Sequence, residues 1–244
     1  MGTQYLTECL VCHLGLVSFP EAMEFEHALI KLRFEEKIGD ILLIFEHPPT
    51  ITLGRSGNIA NILLPREELQ SRGIAYFESD RAGDATFNCP GQLVIHPIMD
   101  LRNRKGILRG YVTDLEETVI RVLADFNIAA ARLTEHHGIW VNEKQISAIG
   151  LRINRGISMH GLSLNVNPDL ADFSVINLCG LAGKSATSIE NELGRAVPEA
   201  EVITKIENSF SNVFQTDLKT ISKRHLADVC LTPSRERAIA QCRN

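Results

Sequence analysis

No stretch of this chain approaches 18 consecutive apolar residues free of charge, so no membrane-spanning helix is expected. The first residues, MGTQYLTECLVCHLG, lack a basic segment ahead of their apolar ones and do not read as a secretory signal. A cytoplasmic protein is the expectation. The chain also lacks an excess of positive charge. Its formal net charge is -5, which argues against a general nucleic-acid binder. The basic residues gather once, in LRNRKGILRGY, where Arg102, Arg104, Lys105 and Arg109 could form a docking patch for an acidic partner or simply a solvated loop.

Six cysteines over 244 residues are too few and too scattered for a disulfide scaffold. Cys9 and Cys12 form one C-x-x-C, but inside a strand-like run rather than at a helix start, and no second pair exists to complete a zinc site. They read as two structural thiols on opposite faces of a strand. His136 and His137 are adjacent and would point opposite ways on a strand, so they make no metal pair. No Walker-type loop, internal repeat, low-complexity segment or linker is present.

What is there is a mixture of helical and hairpin patterns. Ser18 can cap a helix with Pro20 in its first turn and Phe25, Leu29 and Leu32 at helical spacing. DILLIFEH reads as a buried strand, PREELQSRG as a short helix, and YVTDLEETVIRVLADFN as an amphipathic one. Later, GIWVN, KQISAIGLRI and ISMHGLSLNV are strands joined by links short enough for antiparallel hairpins. Without regular βαβ alternation, the expectation is one α+β domain with a mixed, mostly antiparallel sheet over residues 1–222. Residues 223–244 lose periodicity and are expected to be a loosely held tail.

Two loops hold candidate chemistry. RAGDATFNCPGQ is glycine-rich, polar, and runs straight into a strand, as a ligand-facing loop would. NLCGLAGK places Cys179 against a glycine, and a loop cysteine is a nucleophile only where its thiolate is accessible. By themselves, Cys89 and Cys179 are equal candidates, and His160 in SMHGLSLNV reads as a hydrogen-bonded strand histidine.

Together, EHPPTITLGRSG, RAGDATFNCPGQLVIHPIMDL and the long segment from HHGIWVNEKQISAIG to INLCG resemble the lipoyl(octanoyl)transferases, over roughly residues 5–215. The resemblance implies the catalytic fold of the biotin and lipoate protein ligases, with no metal and no cofactor. It implies transfer of an octanoyl or lipoyl group from acyl carrier protein to a lysine of lipoyl domains of 2-oxoacid dehydrogenases or of the glycine cleavage H protein. A monomer is expected, without nucleic acid or membrane. It assigns Cys179 as the nucleophile. An acyl site is implied from Arg81, Ala82, Gly83, Asp84, Ala85, Thr86, Phe87 and Asn88, with Ala148, Ile149, Gly150, His160, Gly161, Leu162 and Ser163 completing it.

The chain departs from that family in three places. The loop histidine is Asn88, followed by Cys89 where a glycine-like residue is usual, and Ala82 replaces a glycine. The family's lysine position is held by Gln145, with Lys144 one residue early and so on the opposite strand face unless a bulge intervenes. A thiol without a cation is only a few per cent ionised at neutral pH. These departures leave open a paralogue that binds acyl groups or lipoyl domains with impaired catalysis, or a changed mechanism using Cys89.

Overall fold

The computed structural model describes residues 7–102, 107–133 and 137–230. The first strand, β1 (Thr7–Leu16), leads to Ser18, whose hydroxyl accepts from the Glu21 amide and caps helix α1 (Phe19–Phe34). Strands β2 (Asp40–Glu46) and β3 (Thr50–Leu53), helix α2 (Arg66–Ser71), and strands β4 (Ala75–Glu78), β5 (Ala85–Asn88) and β6 (Gln92–Ile98) follow. Helix α3 (Ile107–Ala124) precedes β7 (Ala131–Arg132), β8 (Ile139–Val141), β9 (Lys144–Asn154) and β10 (Ile157–Asn165). Two short helical turns, Leu170–Val175 and Leu178–Gly180, lead to α4 (Ile189–Leu193), α5 (Glu199–Phe214) and the last strand, β11 (Thr216–Ile221).

The large sheet runs β11-β1-β2-β6-β10-β9-β8-β7, parallel where β1 meets β11 and β2 and antiparallel elsewhere. A small sheet, β4-β3-β5, stands apart from it. This is the expected α+β architecture with a mixed, mostly antiparallel sheet. Both hairpins close on residues with positive φ: Asn142–Glu143 between β8 and β9, and Arg155–Gly156 between β9 and β10. Two consecutive left-handed residues give the turn whose twist matches antiparallel strands.

Period-2 alternation sorts β2 onto both sides of the sheet. Leu42 and Ile44 enter the core under α3 and α5, while Ile41, Leu43 and Phe45 enter the core under α1. Cys9 and Cys12 divide in the same way, each buried as a free thiol. Burial pushes the two thiols up to about 12 and about 11, which keeps them protonated and inert. A third core joins the small sheet to the Leu170–Leu178 region.

One expectation needs correction. Residues 223–230 are helical, not a loose tail: Leu226 is fully buried in the α1-side core and Lys223 pairs with Glu21. Residues 231–244 lie outside the described part. Strand β11 carries no alternation strong enough to read in sequence, because it is an edge strand with only Thr216 buried. Among the described residues no helix is long and apolar enough to cross a membrane.

Candidate active site

Two adjoining pockets, together a narrow slot, lie where β9 and β10 face the small sheet. One end is lined by Gln145, Ala148, Phe87, Phe173, Leu178 and Cys179. The other is lined by Phe19, His47, Arg81, Val94, His96, Gly150 and His160. Thr86, Ala148 and Ser163 line both stretches.

Cys179 is presented by a strained turn. Its φ of 52° and ψ of 26° put a residue with a side chain in the left-handed region, which the surrounding contacts must hold. Those contacts are polar. The Asn177 amide donates to the Asn61 carbonyl at 2.8 Å, and Asn61 Nδ2 donates to Asp84 Oδ2 at 2.8 Å. Gly180, with φ 77°, lies so close to that carboxylate that an added Cβ would sit 2.7 Å from it. Downstream, the Gln145 amide donates to Ser185 and the Thr187 amide donates to Gln145, which zips the cysteine loop onto the edge of β9.

This zipper brings Gln145 to the sulfur. Gln145 Nε2 donates to Cys179 Sγ at 3.4 Å, and the thiol donates back to Oε1 at 3.5 Å. A bulge decides which residue arrives there. Ile139 pairs with Ser147 but Trp140 pairs with Gln145, so β9 carries one extra residue at that point. Gln145 therefore shares a face with Ala148 and Gly150, while Lys144 is exposed. Strict alternation back from Ala148 would have pointed Lys144 into the slot instead.

Arg81, from the adjoining stretch, is a cation that acts on the Cys179 sulfur. It is 8% exposed and held by five hydrogen bonds: Nε to Thr52 Oγ1, Nη1 to the Ala82 carbonyl, and Nη2 to the Thr52 and Asp84 carbonyls and Thr86 Oγ1. Burial lowers its pKa to about 10, which leaves it charged at neutral pH. The Cys179 thiol is raised above the ordinary thiol range by burial, with Gln145 and Arg81 pulling it down and Asp84 adding to the rise.

The sequence-assigned residues divide. Arg81, Thr86, Phe87, Asn88, Gln145, Ala148, Gly150, His160, Gly161, Leu162, Ser163 and Cys179 line the slot. Ala85 is fully buried in the third core, and Asp84 and Gly83 hold neighbouring loops through Asn61 and the Ser56 amide. Ala82 and Ile149 face away, into a separate groove of about 600 Å³ beside α3, because Ile149 alternates with Ala148 along β9. Cys89, an equal candidate by sequence alone, is 2% exposed and pushed up to about 12 by burial, so it is not a reactive thiol. Asn88 donates to Gln92, which donates to Asn165, which donates to the Thr187 carbonyl, tying the loop to the cysteine segment.

The basic patch also changes. Arg102 is bound to Asp100 and Glu36, and Arg104 and Lys105 lie outside the described residues, as does His136. Arg109 lines the groove beside α3, and His137 lends its carbonyl to Gln145.

Sequence reasoning missed Glu26, His47 and His96. Glu26 is fully buried on α1, one turn after Ala22 and just before Leu29, an acid on the apolar stripe. Its Oε1 accepts from the His160 amide at 2.8 Å and lies 2.9 Å from His96 Nδ1. His160 has φ 57°, and its Nε2 meets Asp80 Oδ1 at 2.6 Å. Burial alone would raise the Glu26 pKa. The adjoining His96 and the His160 amide outweigh it and keep the group an anion. Burial holds the His160 and His47 imidazoles down at about 4, hence neutral. With one His160 nitrogen on Asp80 and the other 3.4 Å from Glu26, this histidine is not a free base for the cysteine.

The lipoyl protein ligase A/B catalytic domain matches residues 18–211. An octanoyltransferase of Desulforamulus reducens is 36% identical over 90% of this chain and 96% of its own length, and one of Caldicellulosiruptor bescii is 40% identical over 90% and 97%. The chain belongs to the octanoyltransferase family. The protein is therefore an acyltransferase. Among solved structures, lipoate-protein ligase A bound with ATP superposes with a TM-score of 0.74 at 15% identity, over 93% of both chains. Protein Ta0514 of T. acidophilum with bound lipoic acid superposes at 0.73, over 92% of this chain and 93% of that one. At such low identity these two establish a shared fold.

Proposed function

We propose that this octanoyltransferase works through an acyl-thioester on Cys179, taking octanoyl (or lipoyl) from acyl carrier protein. The acceptor is a lysine of lipoyl domains of 2-oxoacid dehydrogenases or of the glycine cleavage H protein. The Cys179 thiolate attacks the donor thioester carbonyl and expels the carrier thiolate. The neutral acceptor amine then attacks the Cys179 thioester, forming the amide and releasing the cysteine thiolate, which takes up the proton the amine loses. Splitting the reaction lets two bulky protein partners visit one site in turn. The thioester supplies the driving force, so no ATP and no cofactor enter. The protein acts as a soluble cytoplasmic monomer, without nucleic acid or membrane.

The observation that carries this reading is the contact between Cys179 and Gln145 at one end of the slot. Gln145 takes the place of a cation with a neutral donor. Its amide can hydrogen-bond the thioester oxygen, where a donor counts most as charge develops. The elevated thiol pKa slows the first attack, because less thiolate is present. It also makes the released thiolate a better acceptor for the amine proton in the second.

Mass spectrometry after mixing with octanoyl carrier protein tests this. The expected result is an octanoyl adduct on Cys179, discharged by a lipoyl domain without ATP. An adduct that forms but never discharges would favour an acyl-binding paralogue. No adduct, with transfer surviving in Cys179→Ser, would overturn the assignment.

A further inference from the structure

The far end of the slot has a chemistry that acyl transfer does not use. Glu26 on α1, His96 on β6 and His160 on β10 come together there, all buried, their ligand-capable atoms within 4.8 Å of one another. Among the described residues no other three histidine, cysteine or acidic side chains converge in this way. We propose that Glu26, His96 and His160 bind one divalent transition-metal ion of the zinc class, with an open position facing the slot.

Three observations carry this. The first is spacing. Ligands at about 2.0–2.1 Å around a tetrahedral ion lie roughly 3.3 Å apart. His160 Nδ1 is 3.4 Å from Glu26 Oε2, close to that spacing, while His96 Nδ1 is 2.9 Å from the other oxygen, Oε1; one ligand atom from each residue falls within 4.8 Å of the others, so an ion enters with a small adjustment of the carboxylate.

The second is direction. Glu26 Oε2 and His96 Nδ1 are buried polar atoms without a hydrogen-bond partner, so the short His96–Glu26 approach is not aligned as a hydrogen bond. A buried ion pair needs such alignment to offset desolvation, and leaving these atoms unsatisfied is costly. An ion held by both removes that cost.

The third is the surrounding support. His160 Nε2 meets Asp80 at 2.6 Å, leaving Nδ1 toward Glu26, the carboxylate–histidine–metal arrangement that orients metal-binding imidazoles. His96 and His160 both line the slot, so a coordination position on that side is accessible. Two imidazoles and one carboxylate suit zinc and its first-row neighbours rather than magnesium or calcium.

The test uses the full-length protein, stripped with chelator and titrated with zinc chloride by calorimetry, with metal content measured after desalting. One equivalent is expected for wild type and for Cys179→Ser. His96→Gln and Glu26→Gln should each weaken binding at least ~100-fold, and Asp80→Asn about 10–100-fold through the orientation of His160. X-ray absorption of the zinc-loaded wild type, which needs no variant to fold, should show nitrogen and oxygen neighbours only. No stoichiometric binding, binding unchanged in His96→Gln, or sulfur in the coordination shell would each overturn the proposal.

Discussion

The two ends of the slot solve opposite problems. At the Cys179 end, Gln145 is neutral, and the guanidinium of Arg81 in the adjoining stretch spends its hydrogen bonds on Thr52, Ala82, Asp84 and Thr86, so the thiol is left short of positive charge. At the other end a buried carboxylate sits among imidazoles with polar valences to spare. The Cys179 end is thus electrostatically lean, and the Glu26 end is rich. Lining the same slot does not by itself decide where charge is concentrated.

The comparison breaks most sharply at Cys179. Cys179→Ala should abolish the acyl adduct and lower transfer by at least ~10³-fold, read by mass spectrometry and turnover. Residual transfer near the wild-type rate would mean that the slot end at Gln145 is not where the reaction happens. At the rich end, Glu26→Ala removes the anion that His96 and the His160 amide face. It should cost about 3–5 kcal/mol of stability in chemical denaturation of the metal-free protein, since the partners stay buried. A loss below about 1 kcal/mol would show that the cluster is solvated rather than sealed.

Gln145→Lys sharpens the contrast by returning charge to the lean end. A cation beside the sulfur lowers its pKa, and acyl-enzyme formation at neutral pH should rise by about tenfold, up to thirtyfold. The sign follows from the thiolate being the nucleophile. In the wild type, whose thiol pKa is raised, the rate should climb with pH through the neutral range and continue above the ordinary thiol value. In Gln145→Lys the climb should move to lower pH. An unshifted profile would mean that Gln145 does not set the ionisation of Cys179. The smallest effect belongs to Cys89→Ser, which should leave transfer within about twofold while lowering stability by roughly 1–3 kcal/mol, because a hydroxyl replaces a buried thiol.

Local patterns in the chain carried most of the elements. Ser18 with Pro20 announces α1, the Asn-Glu and Arg-Gly links announce the hairpins, and the apolar run of β2 announces a strand covered on both sides. The loops at Arg81 and Cys179 were legible through their resemblance to known motifs. Edge and end elements were not: β11 is half solvent-facing, and the helix at 223–230 is anchored by one buried leucine. Such elements take their stability from what they touch rather than from their own pattern.

By itself the sequence determined that this is an α+β acyltransferase with a cysteine loop and a glycine-rich loop. Only the tertiary structure decided which residues meet. One extra residue in β9 turned Gln145 rather than Lys144 toward the sulfur, because side chains alternate and a bulge resets the alternation. Glu26, His96 and His160 lie on three separate elements, so no spacing in the chain could reveal them. They are neighbours because α1 packs across β6 and β10, and that packing is a property of the folded sheet.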